Sequence, residues 1–482
     1  MHDQSSILGP STTPPPVRHA IVIGGSIAGL TTARILTDHF DHVTVIERDQ
    51  LPDAPGFRPG VPQGRHPHIL LGRGQMLLEQ LFPGLTADLL DDGAVPVNMG
   101  AEVRWFVRGQ ARVSYQSEIT MTACSRPLLE GAIYRRLRAH PQVRFIQQSE
   151  VVALATDAHA AAATGVYLRP RGVEHRLEQP RLLAANLVVD ASGRDSHAPA
   201  WLTALGYPAP EETTISSAPG YATRVYQRPA DFPADLKVMY VQPTPPDHTR
   251  GAIILPLEGD RWHVCMVGMA ADYPPTDEAG FLAFARSLPS SIIYDAIKDA
   301  TPLSPIIGFR RGENRERRYD QLPRYLEHFL VLGDAVYAFN PVYGQGMTIA
   351  AISSLVLDQC LREQRERHGG APFSGLAQRF QTQLAEATAA AWQLSTGEDR
   401  RWAALRDGSE LAPEIQLTQR YMEQVIKASL TIPAVAETFY RVQQMIDPPT
   451  AFFRPDIVLQ VFGALPITVG QQEQVEFAST AS

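Results

Sequence analysis

Residues 20–29 read Ala-Ile-Val-Ile-Gly-Gly-Ser-Ile-Ala-Gly, and this stretch decides the expected fold. Its four apolar residues predict a buried strand, its glycines a tight turn, and the segment 27–39 a helix. Residues 42–47 predict a second strand, which completes a β-α-β unit. Gly24 permits the turn, Gly29 lets the helix pack against the strand, and the helix N-terminus can receive a pyrophosphate.

Two positions qualify this nucleotide-binding pattern. Ser26 stands at the middle glycine of GxGxxG, where a small residue still permits close approach. Glu47 ends the second strand, where a carboxylate can accept hydrogen bonds from ribose hydroxyls. The alternative is an incidental strand-turn-helix, which the flanking strands and Glu47 disfavour.

Two later segments also end apolar strands in polar turns. The first is residues 187–196, Leu-Val-Val-Asp-Ala-Ser-Gly-Arg-Asp-Ser, and the second runs from Phe329 through Gly333-Asp334 to Met347. Asp334 could accept hydrogen bonds from a polyol chain, and N–H groups at Gly346 and Met347 could face an electron-rich carbonyl. A strand-end turn with a helix N-cap is the alternative interpretation of Gly333-Asp334.

Together the three segments resemble the flavoprotein monooxygenases of the para-hydroxybenzoate hydroxylase type, over about residues 19–362. The resemblance implies an α/β protein: a Rossmann-like FAD-binding domain with an inserted antiparallel β-sheet substrate domain and a C-terminal helical extension. It also implies non-covalent FAD and NADPH or NADH as the electron donor. The residues assigned to the cofactor are Gly24, Ser26, Ile27, Ala28, Gly29, Glu47, Arg48, Arg58, Arg126, Val151, Gly333, Asp334, Gly344, Gly346 and Met347.

Two positions depart from that family. Ser192-Gly193 stands where the aromatic hydroxylases usually carry Asp-Gly, and Met347 replaces a frequent asparagine. The family's aspartate is tied to handling the pyrophosphate and the nicotinamide donor. The route by which NADPH or NADH reaches the flavin therefore stays open.

A closer resemblance is to flavin-dependent epoxidases of polyether polyketide biosynthesis. It is carried by residues 60–68 (Gly-Val-Pro-Gln-Gly-Arg-His-Pro-His), 125–129 (Ser-Arg-Pro-Leu-Leu), 190–196 and 340–347. It implies epoxidation of an alkene in a polyene substrate. In this chemistry the reduced flavin and O2 form a C4a-hydroperoxyflavin, which delivers an electrophilic oxygen, so the cofactor carries the reaction. No acid–base pair stands out in the sequence.

The chain is expected to divide into a short leader, two interleaved domains and a helical end. Alternating apolar runs separated by Pro, Gly and Asp turns predict the substrate sheet, and long Ala- and Gln-rich stretches predict helices at 373–405 and 413–445. The predicted boundaries are 1–18 for a disordered leader; 19–110, 126–206 and 305–362 for the FAD-binding domain; 111–125 and 207–304 for the substrate domain; and 363–482 for the helical region.

Two groups of side chains are candidates for the reaction space. An apolar substrate wall is assigned to Tyr221, Tyr226, Met239, Tyr240, Trp262 and Met266, with a buried sheet core as the alternative. Flavin-proximal positions are assigned to His66, His68 and Pro341, with Arg58 and Arg65 available to phosphate or nicotinamide. No further ligand set accompanies the His-x-His pair, so no metal site is predicted.

Composition limits the partners. The 482 residues carry a net charge of -8, which offers no basic surface for nucleic acid. Three dispersed cysteines and the absence of a recognisable signal peptide or membrane-spanning run predict a cytoplasmic protein. The expected partners are a hydrophobic small molecule and O2; the oligomeric state stays open.

Four other functions remain open. An aromatic hydroxylase would want a base near a substrate phenol. A flavin-dependent prenyl-chain reductase needs only FAD and an apolar tunnel. A halogenase is disfavoured, because the chain has no lysine before Lys237 and no Trp-x-Trp-x-Ile-Pro stretch. A non-catalytic flavin- or lipid-binding protein is the fourth alternative.

Overall fold

The computed structural model describes residues 17–172, 178–368, 373–408 and 413–463. The predicted leader 1–18 lies outside the described residues except for its last two positions. In chain order the strands are β1 His19–Ile23, β2 His42–Ile46, β3 Val95–Asn98, β4 Val103–Val107, β5 Gln110–Ala111, β6 Thr120–Ala123, β7 Val143–Ile146, β8 Ser149–Thr156, β9 Ala163–Pro170, β10 Arg181–Ala184, β11 Leu187–Asp190, β12 Glu212–Ile215, β13 Gly220–Gln227, β14 Val238–Gln242, β15 Arg250–Leu257, β16 Arg261–Gly268, β17 Ile307–Phe309, β18 Asn314–Arg317, β19 Phe329–Val331 and β20 Tyr337–Ala338.

Helices form the C-terminal end of the described chain and separate many of the strands. They are α1 Ile27–Leu36, α2 Gly72–Leu81, α3 Leu85–Asp91, α4 Arg126–Arg138, α5 Ala198–Ala204, α6 Glu278–Arg286, α7 Ile292–Ile297, α8 Gly346–His368, α9 Leu376–Asp407, α10 Pro413–Ala428, α11 Pro433–Gln443 and α12 Pro455–Gly463. The predicted α/β class is confirmed.

The first layer is a parallel sheet in the order β19-β11-β1-β2-β7. Strand β1 lies at its centre and pairs in parallel with β11 and β2, so Ile23 is in register with both Asp190 and Ile46. Strands β1, β11 and β19 therefore end at the same edge. The turns that follow them, which are far apart in sequence, meet there.

Helices cover the parallel sheet. In α1 almost every residue is buried, and Thr31 forms a hydrogen bond of 2.8 Å with Ser354 of α8. Helix α4 begins at Arg126, where Ser125 caps its N-terminus by accepting from the Leu128 amide, and Pro127 suits the first turn. These contacts hold α1 and α4 in place, and both helices begin beside the nucleotide turn.

The second layer is a seven-stranded sheet in the order β17-β13-β16-β15-β14-β4-β5. Strands β13 to β16 pair antiparallel, as predicted. One face packs on α6 and α7 through residues such as Trp262, Phe281 and Ile293. The opposite face looks toward the parallel sheet and the C-terminal helices.

The seven-stranded sheet extends past the predicted domain boundaries. Val103–Val107 falls in the predicted FAD-binding segment 19–110, yet it pairs in parallel with Val238–Gln242. Ile307–Phe309, in the predicted segment 305–362, pairs with the strand that carries Tyr221. Sequence patterning missed both because a single short strand does not reveal a partner more than 80 residues away.

The C-terminal helices differ from the prediction in one respect. The predicted helix 413–445 is two helices, α10 and α11, interrupted at residues 429–432. Pro433 cannot supply the N–H that would continue the first helix, but it is well suited to start the second. The break lets α10 and α11 pack on the second face of the seven-stranded sheet, where they contact Trp105 and Val238.

Candidate active site

The nucleotide turn has no room for side chains at two glycines. Gly24 has φ +105°, and a Cβ atom there would lie 2.6 Å from the Ala191 carbonyl oxygen. A Cβ atom on Gly29 would lie 1.8 Å from the Gly24 carbonyl oxygen. The turn and the helix therefore approach each other as closely as backbone atoms allow.

The N-terminus of α1 is open to an anionic ligand. Ser26 is the N-cap residue but makes no side-chain cap hydrogen bond, and the first turn holds no acidic residue. The first amides of a helix lack partners within it, and the helix dipole favours negative charge there. Glu47 borders this turn, accepting from the Gly25 amide at 2.6 Å and from the Asp49 amide at 2.9 Å.

A buried ion-pair network lies beneath the turn. Arg58 contacts Glu130 at 2.6 Å and Glu47 at 3.2 Å, and Arg126 contacts Glu130 at 3.0 Å and the Ser26 hydroxyl at 2.8 Å. Burial opposes ionisation of Glu130, but the two guanidinium groups outweigh it and lower its pKa. Arg58 lines the cavity, but the acids already engage its side chain, so its availability to nicotinamide or phosphate stays a prediction. Arg65 is exposed and stacks on Phe57.

Asp334 lies at the meeting point of the three strand ends. Its carboxylate accepts no hydrogen bond within the described part of the chain, and burial raises its pKa. A Cβ atom on Gly346, the first residue of α8, would lie 3.8 Å from Asp334 Oδ1. This half-buried carboxylate lines the cavity, where it can accept hydrogen bonds from a ligand that supplies hydroxyl groups.

These features fit FAD. The helix N-terminus suits the pyrophosphate, Glu47 could border the ribose, and Asp334 can accept from the ribityl chain. The surrounding cavity has a volume of about 1280 Å³. The assigned cofactor residues that line it are Gly24, Ser26, Ile27, Ala28, Glu47, Arg48, Arg58, Arg126, Val151, Asp334, Gly344, Gly346 and Met347. Gly29 and Gly333 lie behind this lining, where they shape the backbone.

The cavity continues from the cofactor site along the seven-stranded sheet. Side chains alternate along each strand, so only one residue in two faces the cavity. Tyr221 and Tyr240 line it, as expected. Tyr226, Met239, Trp262 and Met266 instead face the opposite side and pack against α6 and α7. Their assignment to the substrate wall is wrong; both faces of this sheet are apolar, which hid the alternation.

The C-terminal helices complete the cavity. Helix α10 contributes Ile415, Met422 and Ile426, which are spaced so that they share one helix face, and α11 contributes Phe439. Trp105 of β4 packs edge-on against Tyr240, with ring centroids 4.9 Å apart. Sequence reasoning missed these residues. The amphipathic spacing in α10 was the one available signal, and it did not show which surface the helix covers.

The two loop histidines line the cavity beside Pro341. His66 Nδ1 lies 2.8 Å from the Thr223 hydroxyl, and His68 Nδ1 lies 3.0 Å from the His66 carbonyl oxygen. Burial lowers the pKa of His66 to about 4 and that of His68 to about 3, so both imidazoles are neutral at neutral pH. Within the described residues, no group of three or more His, Cys, Asp or Glu side chains could hold a metal.

The structure also assembles a pair that the sequence did not reveal. The Tyr343 hydroxyl, in the loop before α8, donates to Asp399 Oδ1 of α9 at 2.6 Å. Burial raises the pKa of Asp399 to about 6, although hydrogen bonds from Tyr343 and Asn340 oppose the shift. The two residues are 56 positions apart, so no local motif marks them.

A second buried charge lies behind the aromatic wall of the cavity. The Arg112 guanidinium stacks on Trp105 and Phe439, with distances of 4.4 and 3.8 Å to the ring centroids. No nitrogen of this guanidinium has a hydrogen-bond partner within the described ranges. Burial lowers its pKa to about 10. The aromatic faces therefore supply the local electrostatic compensation.

Comparison with known proteins agrees with this geometry. Residues 18–367 match the FAD_binding_3 family, described as an FAD binding domain. The chain belongs to this family. Its cofactor is accordingly FAD, which the cradle around Gly24 and Asp334 fits.

Two relatives are similar to this chain in sequence, and one solved structure is similar in fold. The chain is 32% identical over 440 residues to "Protein Rv3254" of Mycobacterium tuberculosis, covering 90% of each. It is 26% identical over 369 residues to a kynurenine 3-monooxygenase of Salinispora tropica, covering 72% of this chain and 73% of that protein. The flavin-dependent brominase Bmp2 matches with a TM-score of 0.62 and 15% identity over 88% of this chain and 93% of the brominase, which shows a shared fold. Across the described residues, no helix has the length and apolar character to span a bilayer.

Proposed function

We propose that this flavoprotein is a monooxygenase that transfers one oxygen atom from O2 to a large apolar substrate, with alkene epoxidation as its reaction. NADPH or NADH is the electron donor. The observation that carries the proposal is the apolar arm of the cavity, which runs from the loop Asn340–Gly344 past Tyr240 to α10. The relatedness to a kynurenine 3-monooxygenase supports oxygen transfer as the reaction class.

The wall of this arm suits an uncharged, extended ligand. Trp105, Tyr240, Ile253, Leu255 and Phe439 contribute to it. An apolar ligand gains about 25 cal/mol for each Å² that it removes from water. The histidines nearest the cofactor site are neutral, so they add no positive charge that would favour an acidic substrate.

FAD, once reduced and exposed to O2, supplies an electrophilic oxygen. The protein's own task is to orient the double bond and to keep water out. Phe309, Val267 and Pro341 line the cavity close to His66 and can exclude water there. An alkene needs no base from the protein to receive an electrophilic oxygen.

Hydroxylation of a phenol or enol is the second candidate, and one observation favours it. Hydroxylation gains from deprotonation of the substrate hydroxyl. The Tyr343–Asp399 pair could accept that proton, because Tyr343 lines the cavity and hydrogen-bonds to a carboxylate whose pKa is raised to about 6.

The test is product identification. Purified protein with FAD, NADPH or NADH and 18O-labelled O2 is offered linear polyenes and phenols of similar size. With labelled O2 we expect an epoxide that carries one labelled oxygen. Without O2 we expect no epoxide. Labelled phenol products with no epoxide would favour hydroxylation, and a saturated product formed without O2 would favour a reductase.

The linkage of the cofactor has its own measurement. We expect FAD to bind non-covalently: the buried Cys265 thiol in the cavity wall has its pKa raised by burial to about 12, which makes it a poor nucleophile. Denaturation and filtration should release all the flavin. Flavin retained on the polypeptide would contradict non-covalent binding.

A further inference from the structure

Helix α9 places a carboxylate in its buried stripe. Asp399 is 0% exposed and lies between Ser395 and Trp402 on the helix face that packs inward. Buried carboxylates are usually paired with a cation. The groups that act on Asp399 are instead neutral donors and one further acid, Glu398.

The donors come from two separate segments, strand β18 and the turn before α8. Asn314 Nδ2 donates to Oδ2 at 2.8 Å, and the Tyr343 hydroxyl donates to Oδ1 at 2.6 Å. Asn340 Nδ2 lies 3.1 Å from Oδ1 and 3.2 Å from Oδ2. Asn340 and Tyr343 bracket the turn Pro341–Tyr343, which leads through Gly344 into α8. One carboxylate therefore holds both ends of this turn.

The surrounding bonds fix which way the amide groups point. Asn340 Oδ1 accepts from the Tyr221 hydroxyl at 2.9 Å and from the Val342 amide at 3.1 Å, so its Nδ2 must face Asp399. Asn314 Oδ1 accepts from the Asn340 amide at 2.8 Å, so its Nδ2 also faces the carboxylate. Position 399 thus needs a group that accepts at both oxygens.

We propose that Asp399 is a positioning residue that holds the turn Asn340–Gly344 against the reactive ring of the bound flavin. The helical region after residue 367, outside the matched FAD-binding segment, would then set the environment of that ring. This inference rests on the proposed function only in taking the ring of FAD to lie beside this turn.

The arrangement predicts a response to pH. Titratable groups face the carboxylate from three elements: Tyr343 on the turn, Tyr221 on β13 and Glu398 on α9. The pKa values of both tyrosines are raised, so they stay neutral. Asp399, whose pKa is raised to about 6, is then the group that changes charge in mild acid. Protonation of Asp399 would weaken the hydrogen bonds that one of its oxygens accepts. The turn Asn340–Gly344 would then be held less firmly.

The experiment compares the wild type with Asp399→Asn and Tyr343→Phe, all reconstituted with FAD. Glu386→Gln is the matched control, because it makes the same change on the exposed face of the same helix. The readouts are the visible spectrum and the fluorescence of the oxidised flavin between pH 5 and 8. Neither readout requires a substrate.

We expect a spectral transition in mild acid for the wild type and for Glu386→Gln. In Asp399→Asn that transition should be lost, with an acid-like spectrum throughout. Tyr343→Phe should give an intermediate spectrum with a shifted midpoint, and it serves as the test if Asp399→Asn fails to fold. An Asp399→Asn spectrum identical to the wild type at every pH would overturn the inference alone. Failure of the wild type to bind FAD would overturn the inference and the proposed function together.

Discussion

The nucleotide cradle and the cavity arm both bury ionisable groups, but they compensate them differently. In the cradle, Arg58 and Arg126 contact Glu47 and Glu130 at ion-pair distances. Around the arm, aromatic rings compensate the charge of Arg112. Neutral hydrogen-bond donors compensate the charge of Asp399 in α9. The cradle therefore keeps its charges at any ordinary pH, as a site for a charged cofactor requires. The arm suits the uncharged ligand that we propose, and its buried groups make it sensitive to acid.

The largest expected effect tests the backbone of the cradle. Gly29→Ala would place a Cβ atom 1.8 Å from the Gly24 carbonyl oxygen, a contact that the turn cannot absorb without moving. We expect loss of FAD binding, measured by flavin content after purification. Gly463→Ala is the control, because a Cβ atom there meets nothing within 4 Å. A Gly29→Ala protein with full FAD content would contradict the conclusion that FAD binding depends on the close packing of Gly29 against the Gly24 carbonyl.

The next effect compares two buried arginines. Arg58→Met leaves Glu47 without its cation and Glu130 with Arg126 alone, and breaking such a buried pair costs about 3–5 kcal/mol. Arg112→Met removes a cation that has no acid partner, and an apolar side chain can fill the same space, so we expect a change within about 1 kcal/mol. Urea denaturation of both variants checks this difference. Equal losses would remove the distinction between the two regions.

Acid should destabilise the protein through three buried histidines near the arm. Burial lowers the pKa values of His66, His68 and His263 to about 4, 3 and 4. Between about pH 4 and 6.5 the unfolded chain binds more protons, so the free energy of unfolding falls as the pH drops through this range, by about 3 kcal/mol or more for each group. The raised pKa of Asp399 has the opposite effect on the free energy of unfolding, but the three histidines outweigh this single group.

The histidine effect can be measured with one substitution. His263 does not line the cavity, and its Nε2 lies 3.0 Å from the Arg65 carbonyl oxygen. His263→Gln keeps a donor and removes the titration, so the loss of stability between pH 7 and pH 5 should become smaller. His159→Gln, at an exposed turn, should leave the loss unchanged. An unchanged pH dependence in His263→Gln would count against this explanation.

The smallest effect concerns single contacts to FAD. Asp334→Ala removes an acceptor that has no other described partner, so we expect FAD binding to weaken by about 1.5–3 kcal/mol. Glu47→Ala should weaken it as well, and should also unsettle the Gly25 turn that Glu47 holds. Titration of the apoprotein with FAD measures both, with exposed Asp91→Ala as the control. Unchanged affinity in both variants would refute their placement.

The cradle was predictable from the sequence because its signals are local. Strand, glycine turn and helix follow one another at residues 20–36, and parallel pairing brings the Asp190 and Asp334 turns to the same edge. The cavity wall along the seven-stranded sheet was predictable only in part. Tyr221 and Tyr240 face the cavity, but choosing between the two apolar faces of a sheet requires knowing which helices cover each one.

The Asp399 cluster could not be predicted, for a physical reason. Its members come from β18, the turn before α8 and the middle of α9, and each is an ordinary polar residue in its own segment. Only the packing of α9 against these segments removes water and makes the contacts informative. Tertiary burial, and no sequence motif, distinguishes this aspartate.

One measurement tests directly whether the two regions do different work. Apoprotein of the wild type, Asp334→Ala and Asp399→Asn is titrated with FAD at pH 7.5, and both the Kd and the flavin spectrum at saturation are recorded. We predict that Asp334→Ala weakens binding and keeps the wild-type spectrum, whereas Asp399→Asn keeps the wild-type Kd and changes the spectrum. Weakened binding with an unchanged spectrum in Asp399→Asn would contradict the assignment of cofactor binding to the cradle and ring positioning to the Asp399 cluster.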